Sequence, residues 1–273
     1  MDKSEWQGGQ GESWAKNWRR TDRSFGILTD RLLAQLRGLT LHQVLDVGCG
    51  AGELSLAIAR NRPDTRVLGL DVSPQLIGAA RSRSEQHPNV AFVCEDAASW
   101  QAEEGFAPDL LVSRHGVMFF SDPPAAFANL AAAAAPSARF VFSCFRDPSL
   151  NPFMTEVMRL FPEPPQQRDP RAPGPFAFAE AAYVEQVLGA GGWRDVSLEA
   201  VDFPMVVGAG EDPIADAVGY FSTIGPAARM LAEMDEAGRS TFLAAVAALA
   251  ERNCREGIVS LPAAAWLVTA QRA

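Results

Sequence analysis

The sequence predicts an α/β fold: a doubly wound, seven-stranded, mostly parallel sheet, Rossmann-like, with helical lid insertions. Three observations carry this. Between about residues 41 and 146, short apolar runs alternate with helical patterns. The first run, Val44-Leu45, passes through Asp46 into a glycine-rich turn with Gly48, Gly50 and Gly52, and a helical apolar pattern follows at once (Leu54, Leu56, Ile58, Ala59). Acids then stand at the ends of three successive runs: Asp46, Asp71 and Asp96. Right-handed crossovers between parallel strands bring such ends to one edge of the sheet, where ligands bind.

The elements follow in order. Residues 1–40 form an N-terminal helical lid, because Trp14, Trp18, Phe25, Leu28, Leu32 and Leu36 give an apolar face. Residues 41–273 form the main domain. Its parallel strands are expected near 43–47, 66–70, 90–94, 109–113 and 138–145. The third run, Val90 to Cys94, is nearly continuous in apolar residues, as in a strand buried on both faces. Ser73 before Pro74 and Asp122 before Pro123-Pro124 are N-caps with proline in the first turn. Residues 147–178 carry Pro148, Pro152, Pro162, Pro164, Pro165, Pro170, Pro173 and Pro175, which leaves room only for a short helix from Phe153 to Phe161. A helix near 179–191 stops at glycines, and strands near 193–207 and 259–270 are separated by helices, including Thr241 to Cys254. The segments 147–178 and 211–257 are read as lid insertions that join residues 1–40 over the carboxyl edge.

Composition narrows the class. With 273 residues and 48% hydrophobic content, the chain buries a large core and is not disordered. The longest apolar stretch, near residues 130–145, is broken by Pro136 and Arg139, so no membrane span is expected. The polar N-terminus is not a secretory signal. The four cysteines, Cys49, Cys94, Cys144 and Cys254, lack C-x-x-C spacing. They read as reduced small hydrophobes of a cytoplasmic protein, with no metal site. A net charge of −9 opposes nucleic acid as a partner. The oligomeric state is not legible.

The loop chooses among nucleotides. A dinucleotide loop needs a small residue at the sixth position from Gly48, where Glu53 stands. Asp46 would repel a pyrophosphate and suits a ligand bearing positive charge, such as S-adenosylmethionine (SAM), with its ammonium and sulfonium. Asp71 suits a ribose diol, as it would in a dinucleotide enzyme, or caps the following helix. The string from Asp46 to Gly52 resembles the first motif of class I SAM-dependent methyltransferases, and Gly69 to Arg81 resembles their second. The strings from Ser113 to Leu130 and from Phe140 to Met154 resemble a bacterial small-molecule branch near the ubiquinone/menaquinone-biosynthesis C-methyltransferases, as does the closing run from Leu261 to Arg272. The resemblance covers about residues 41–205. It implies SAM as cofactor, S-adenosylhomocysteine (SAH) as product and an antiparallel pair closing the sheet. The cofactor residues implied are Trp18, Asp46, Gly48, Cys49, Gly50, Gly52, Asp71, Val72, Leu76, Asp96, Ala97 and Ser113, with Leu76 near the adenine, Asp96 accepting from its amino group and the Ala97 N–H donating to its ring.

The fourth strand end, Ser113-Arg114-His115, faces the methyl group in such a fold. Asp122-Pro123-Pro124 resembles an amino-methyltransferase motif, but Ala125 replaces the aromatic residue that would stack on a base, and helix capping is the better account. A metal-dependent site would need acids at this strand end. His115, where an aromatic residue is common, is the candidate catalytic base for a hydroxyl acceptor, or else packs or touches the cofactor. Alignment of the acceptor and exclusion of water accelerate methyl transfer without a base. Trp14, Trp18, Phe153, Met154, Phe161, Phe176, Tyr220, Phe221 and Met230 make the insertions aromatic and Met-rich, so the acceptor is expected to be a small, largely apolar metabolite. The alternative is a non-catalytic SAM-binding or regulatory protein whose lid fills the acceptor cavity. A nicotinamide dehydrogenase is opposed by Asp46 and Glu53.

Overall fold

A computed structural model describes residues 3–163 and 169–273; Pro164 and Pro165 of the proline-rich segment lie outside the described residues. Eight strands form one sheet: β1 (Gln43–Val47), β2 (Arg66–Asp71), β3 (Val90–Cys94), β4 (Leu110–Arg114), β5 (Arg139–Phe145), β6 (Trp193–Gly208), β7 (Cys254–Arg255) and β8 (Ile258–Arg272). The order is β3-β2-β1-β4-β5-β8-β6, with β7 paired to β8. The first five are parallel, and β8 runs antiparallel to both β5 and β6. Seven strands match the expected ones. The eighth, β7, is two residues long and leaves no periodic trace in the sequence. The parallel register sets Asp46 opposite Gly69 on one side and Val112 on the other, which brings the ends of β1, β2 and β4 level.

One expectation is corrected. The third strand is not buried on both faces, since Ala91 and Cys94 are exposed while Val90 and Phe92 are buried. The reason is position: β3 ends the sheet, and its apolar run packs on one side only.

The helices are α1 (Lys3–Gln7), α2 (Gly9–Lys16), α3 (Trp18–Gln35), α4 (Glu53–Asn61), α5 (Pro74–Arg83), α6 (Pro123–Ala133), α7 (Pro152–Met158), α8 (Ala181–Ala190), α9 (Pro213–Thr223), α10 (Pro226–Ala232) and α11 (Glu236–Arg252). Capping sets several starts. The Ser73 hydroxyl accepts from Leu76 N at 3.3 Å, and Asp122 accepts from Ala125 N at 3.1 Å. Asp212 and Asp235 cap α9 and α11 in the same way. The Asp235 cap starts α11 earlier than the apolar pattern from Thr241 suggests. Helix α3 buries Leu28 and Leu32 completely and packs on the antiparallel end of the sheet. Asp216 of α9 accepts from Arg20 at 2.9 Å and pairs with Arg23 at 2.7 Å, which ties α9 to α3. No helix among the described residues is long and apolar enough to cross a membrane.

Candidate active site

The glycine loop is built by backbone conformations that L side chains rarely adopt. Gly48 has φ of 67° and Gly50 of 56°. A Cβ on Gly48 would fall 2.8 Å from the Gly116 Cα, because this loop packs directly on the turn after β4. A Cβ on Gly50 would meet nothing within 4 Å and would project into open space. The Gly50 N–H donates to Asp71 Oδ2 at 2.9 Å, and Ser73 N–H donates to Asp71 Oδ1 at 2.9 Å. The Asp71 carboxylate is therefore fixed between two turns, while each oxygen keeps acceptor capacity for a ligand hydroxyl. Burial raises its pKa, against the backbone N–H groups that favour the charge.

Asp46 is 1% exposed and accepts from the Ser55 hydroxyl at 2.6 Å. Burial pushes it up to about 6, opposed by that hydrogen bond and by Arg114. Asp96 accepts from Ala98 N–H at 3.0 Å and pairs with Lys3 Nζ at 3.0 Å. A single cavity opens over these strand ends. Asp46, Gly48, Cys49, Gly50, Asp71, Val72, Leu76, Asp96, Ala97 and His115 all line it. Residues of the three additional segments line it too, among them Trp6, Trp14, Phe153, Met154, Tyr220 and Phe221.

Three residues expected at the cofactor do not line the cavity. Trp18 lies under the Arg83 guanidinium, 3.8 Å from its ring centre, so its face is already occupied. Gly52 starts α4 in the left-handed conformation, and a Cβ there would meet Phe92 at 2.7 Å; its glycine serves turn and packing. Ser113 is fully buried: its hydroxyl donates to Val47 O at 2.6 Å and accepts from Gly116 N–H at 3.1 Å, joining β1 to the turn after β4. Of the insertion residues, Phe161 stacks on Phe242 at 4.2 Å, and Phe176 and Met230 pack against the core instead of lining the cavity.

His115 has φ of 65°, an uncommon value for a residue with a side chain. Its Nδ1 lies 2.7 Å from the Ser143 hydroxyl, and its ring meets Phe145 and Phe25 edge-on at 4.1 and 5.3 Å. Burial, with Arg114 adding to it, pushes its pKa down to about 3, so the imidazole is neutral at physiological pH. Sequence reasoning missed Trp6, Gln10 and Asp22 among the cavity-lining residues, and it placed Arg114 at the fourth strand end without giving it a role. Arg83 reaches Asp22 at 2.7 Å and the Ala51 carbonyl at 2.8 Å, while Arg114 sits 3.6 Å from Asp22. Burial and neighbouring Glu53 push Asp22 up to about 7 despite both cations. Nothing in the sequence sets it apart from the other charged residues of α3, Arg19, Arg20, Arg23, Asp30 and Arg31.

Residues 44–137 match the family model described as a methyltransferase domain. The matched stretch is about a third of the chain. It runs from β1 through α6 and holds the glycine loop, all three strand-end acids and His115. The trans-aconitate 2-methyltransferase of Methylobacterium radiotolerans is 40% identical over 78 residues, covering 29% of this chain and 28% of that protein. Malonyl-[acyl-carrier protein] O-methyltransferase 1 of Ilyobacter polytropus is 26% identical over 122 residues, 45% of each chain. The chain therefore spans less than half the length of these curated relatives. In fold, the chain is similar to phosphoethanolamine N-methyltransferase 2 of Haemonchus contortus, with a TM-score of 0.55 and 15% identity over 95% of this chain and 56% of that one. That likeness carries the fold alone.

Proposed function

We propose that the chain is a SAM-dependent methyltransferase acting on a small, largely apolar metabolite, with SAH as product. The observation that carries this is the cavity itself, in which the open backbone of Gly50 and the acids Asp46, Asp71 and Asp96 meet apolar walls from the added helices. The residues fit SAM. Gly50 leaves room where a side chain would intrude, Asp71 has acceptor capacity for a ribose diol, and Asp46 puts a carboxylate where a cationic ligand is favoured. When bound, SAM supplies a methyl group on a sulfonium, an activated leaving group. The chain's own residues then hold the acceptor in line and keep water out, with Phe25, Phe145, Phe153 and Phe221 forming the dry wall. Asp96 serves the adenine in this reading, and Lys3 must yield its place beside it.

The relatives' names speak of trans-aconitate and of O-methylation of malonyl-[acyl-carrier protein]; the resemblance to the ubiquinone/menaquinone group speaks of a methylated carbon. The net charge of −9 supports a metabolite over nucleic acid. The buried Cys49 and Cys144, neither in a disulfide, support a cytoplasmic setting. A non-catalytic SAM-binding protein would fill the acceptor space, and an open apolar cavity favours the enzyme. Calorimetry on the purified chain is the test. Binding of SAM or SAH and not NAD is expected, and binding of NAD without SAM would sink the reading.

A further inference from the structure

Four polar atoms on residues that line the cavity are buried without a hydrogen-bond partner among the described residues. They are the indole Nε1 of Trp6 and of Trp14, the amide Nε2 of Gln10 and the Nε2 of His115. Four acids of the same cavity are in the opposite condition. Asp46 accepts from Ser55, Asp71 from Gly50 and Ser73, Asp96 from Lys3 and Ala98, and Asp22 from Arg83. An indole N–H only donates, and so does an amide nitrogen.

The tautomer of His115 decides the fourth atom. The Ser143 residue is fully buried, and its hydroxyl makes no other side-chain hydrogen bond among the described residues. A proton on Nδ1 would make that hydroxyl an acceptor and strand its own hydrogen in a dry core, which is costly. The favoured arrangement has the Ser143 hydroxyl donating to Nδ1. The imidazole proton then sits on Nε2, and the fourth atom is a donor as well.

We propose that these donors form the polar pole of the acceptor site, and that the methyl acceptor carries a carboxylate or equivalent anionic oxygen on an apolar body. Within this site His115 is a positioning hydrogen-bond donor through Nε2–H, held in that tautomer by Ser143, and not a base. The inference rests on the methyltransferase reading above. An acceptor that is already anionic brings no proton to remove, so a site with no base at its floor is the complement of such a molecule. Neutral N–H donors stabilise an oxygen anion in a water-excluded pocket at no reorganisation cost. An ammonium group placed at these four donors would meet N–H groups where it needs acceptors. The other anionic oxygen that enters the cavity is the cofactor's own carboxylate, and the test separates the two.

The full chain, loaded with SAH, is titrated calorimetrically with octanoate and with octylamine, which share a chain length and differ at the head. Octanoate is expected to bind at least about tenfold more tightly. The double substitution Trp6→Phe, Trp14→Phe keeps the rings and removes the N–H groups. It is expected to weaken octanoate by about tenfold and leave SAH affinity within about twofold. Gln10→Leu, a single change on the short helix α2, gives the same direction should the double variant fold poorly. Nitrogen-15 NMR of histidine-labelled protein, which has three histidines, is expected to show the His115 proton on Nε2. Equal or reversed preference for octylamine, a drop in SAH affinity with octanoate unaffected, or a proton on Nδ1 would each overturn the proposal. Absence of SAH binding while the free chain still prefers octanoate would remove the methyltransferase reading and leave the donor pole standing.

Discussion

Asp71 is gripped by N–H groups from two turns, so its geometry is set before any ligand arrives. Asp71→Ala leaves ligand hydroxyls unpaired in a half-buried site. A hydrogen bond to a charged group contributes roughly 1.5–3 kcal/mol, so SAM affinity is expected to fall about tenfold to a hundredfold by calorimetry. Gly50→Val is expected to do at least as much, since its φ of 56° suits no β-branched residue and the branch would enter the ligand space. If both variants fold and bind SAM as the parent does, the pocket assignment is wrong. Asp46 makes a different prediction. Its pKa is near 6 folded against an ordinary 3.8, so the folded protein holds the proton more tightly than the unfolded chain does. The stabilisation from this linkage is complete below the unfolded value and is lost as pH rises through 6. Asp46→Asn keeps an acceptor for Ser55 and removes the titration. In urea unfolding without ligand, the variant is expected to gain about 2 kcal/mol over the parent between about pH 4 and pH 8. No change in that difference across the range would refute the assignment. The strand-end acids were legible because each sits within a few residues of its own apolar run. Asp22, Trp6 and Gln10 were not, because contacts with Arg83, Phe119 and α5 define them, and sequence spacing carries no trace of such contacts.

At the scale of elements, α1 and α2 cover the cavity with little burial of their own: α1 has no buried residue and α2 buries only Gly11. They are held by exposed or half-exposed pairs, Lys3 to Asp96 and Glu5 to Arg229, by Gln75 donating to the Gln7 carbonyl, and by Ser13 donating to the Thr223 carbonyl. Such pairs contribute about 0–1 kcal/mol each, so the cover is weakly fastened. Its close fit depends on Gly11, where a Cβ would collide with the Trp6 carbonyl oxygen and the Ser73 hydroxyl. Gly11→Val is therefore expected to lift α2 from α5, weaken SAM binding by about tenfold or more, and lower the melting temperature little, because the core lies elsewhere. A large melting-temperature loss would show instead that these helices stabilise the fold. The apolar face of α3 was readable from periodicity. Residues 1–40 were read as helical throughout, but the division of their start into α1 and α2 was not legible, since Gly8, Gly9 and Gly11 lie in a polar stretch whose ordering comes from the surface beneath it.

For the molecule as a whole, a ligand that binds only the folded state raises the melting temperature. At a hundredfold excess over Kd, SAH stabilises by about 2.7 kcal/mol, or about 5–10 °C for a domain of this size. NAD at the same concentration is expected to leave the transition where it is, and an equal shift with both would argue for unspecific binding. The parallel half of the sheet was legible because β–α alternation is written locally. The antiparallel half came only from family resemblance, since nothing in a strand's own residues states which neighbours it inserts between. That insertion has a consequence for how the chain reaches its native state. Strand β8 follows β5 and β6 in the chain and lies between them, so until residues 258–272 are made the sheet stops at β5 with an open edge, and β6 has no partner. Phe140 and Phe142, buried in the finished molecule, wait beside that edge. Residues 258–272 thus close two unpaired edges at once, and until they pair, β5 and β6 each expose a row of free backbone groups.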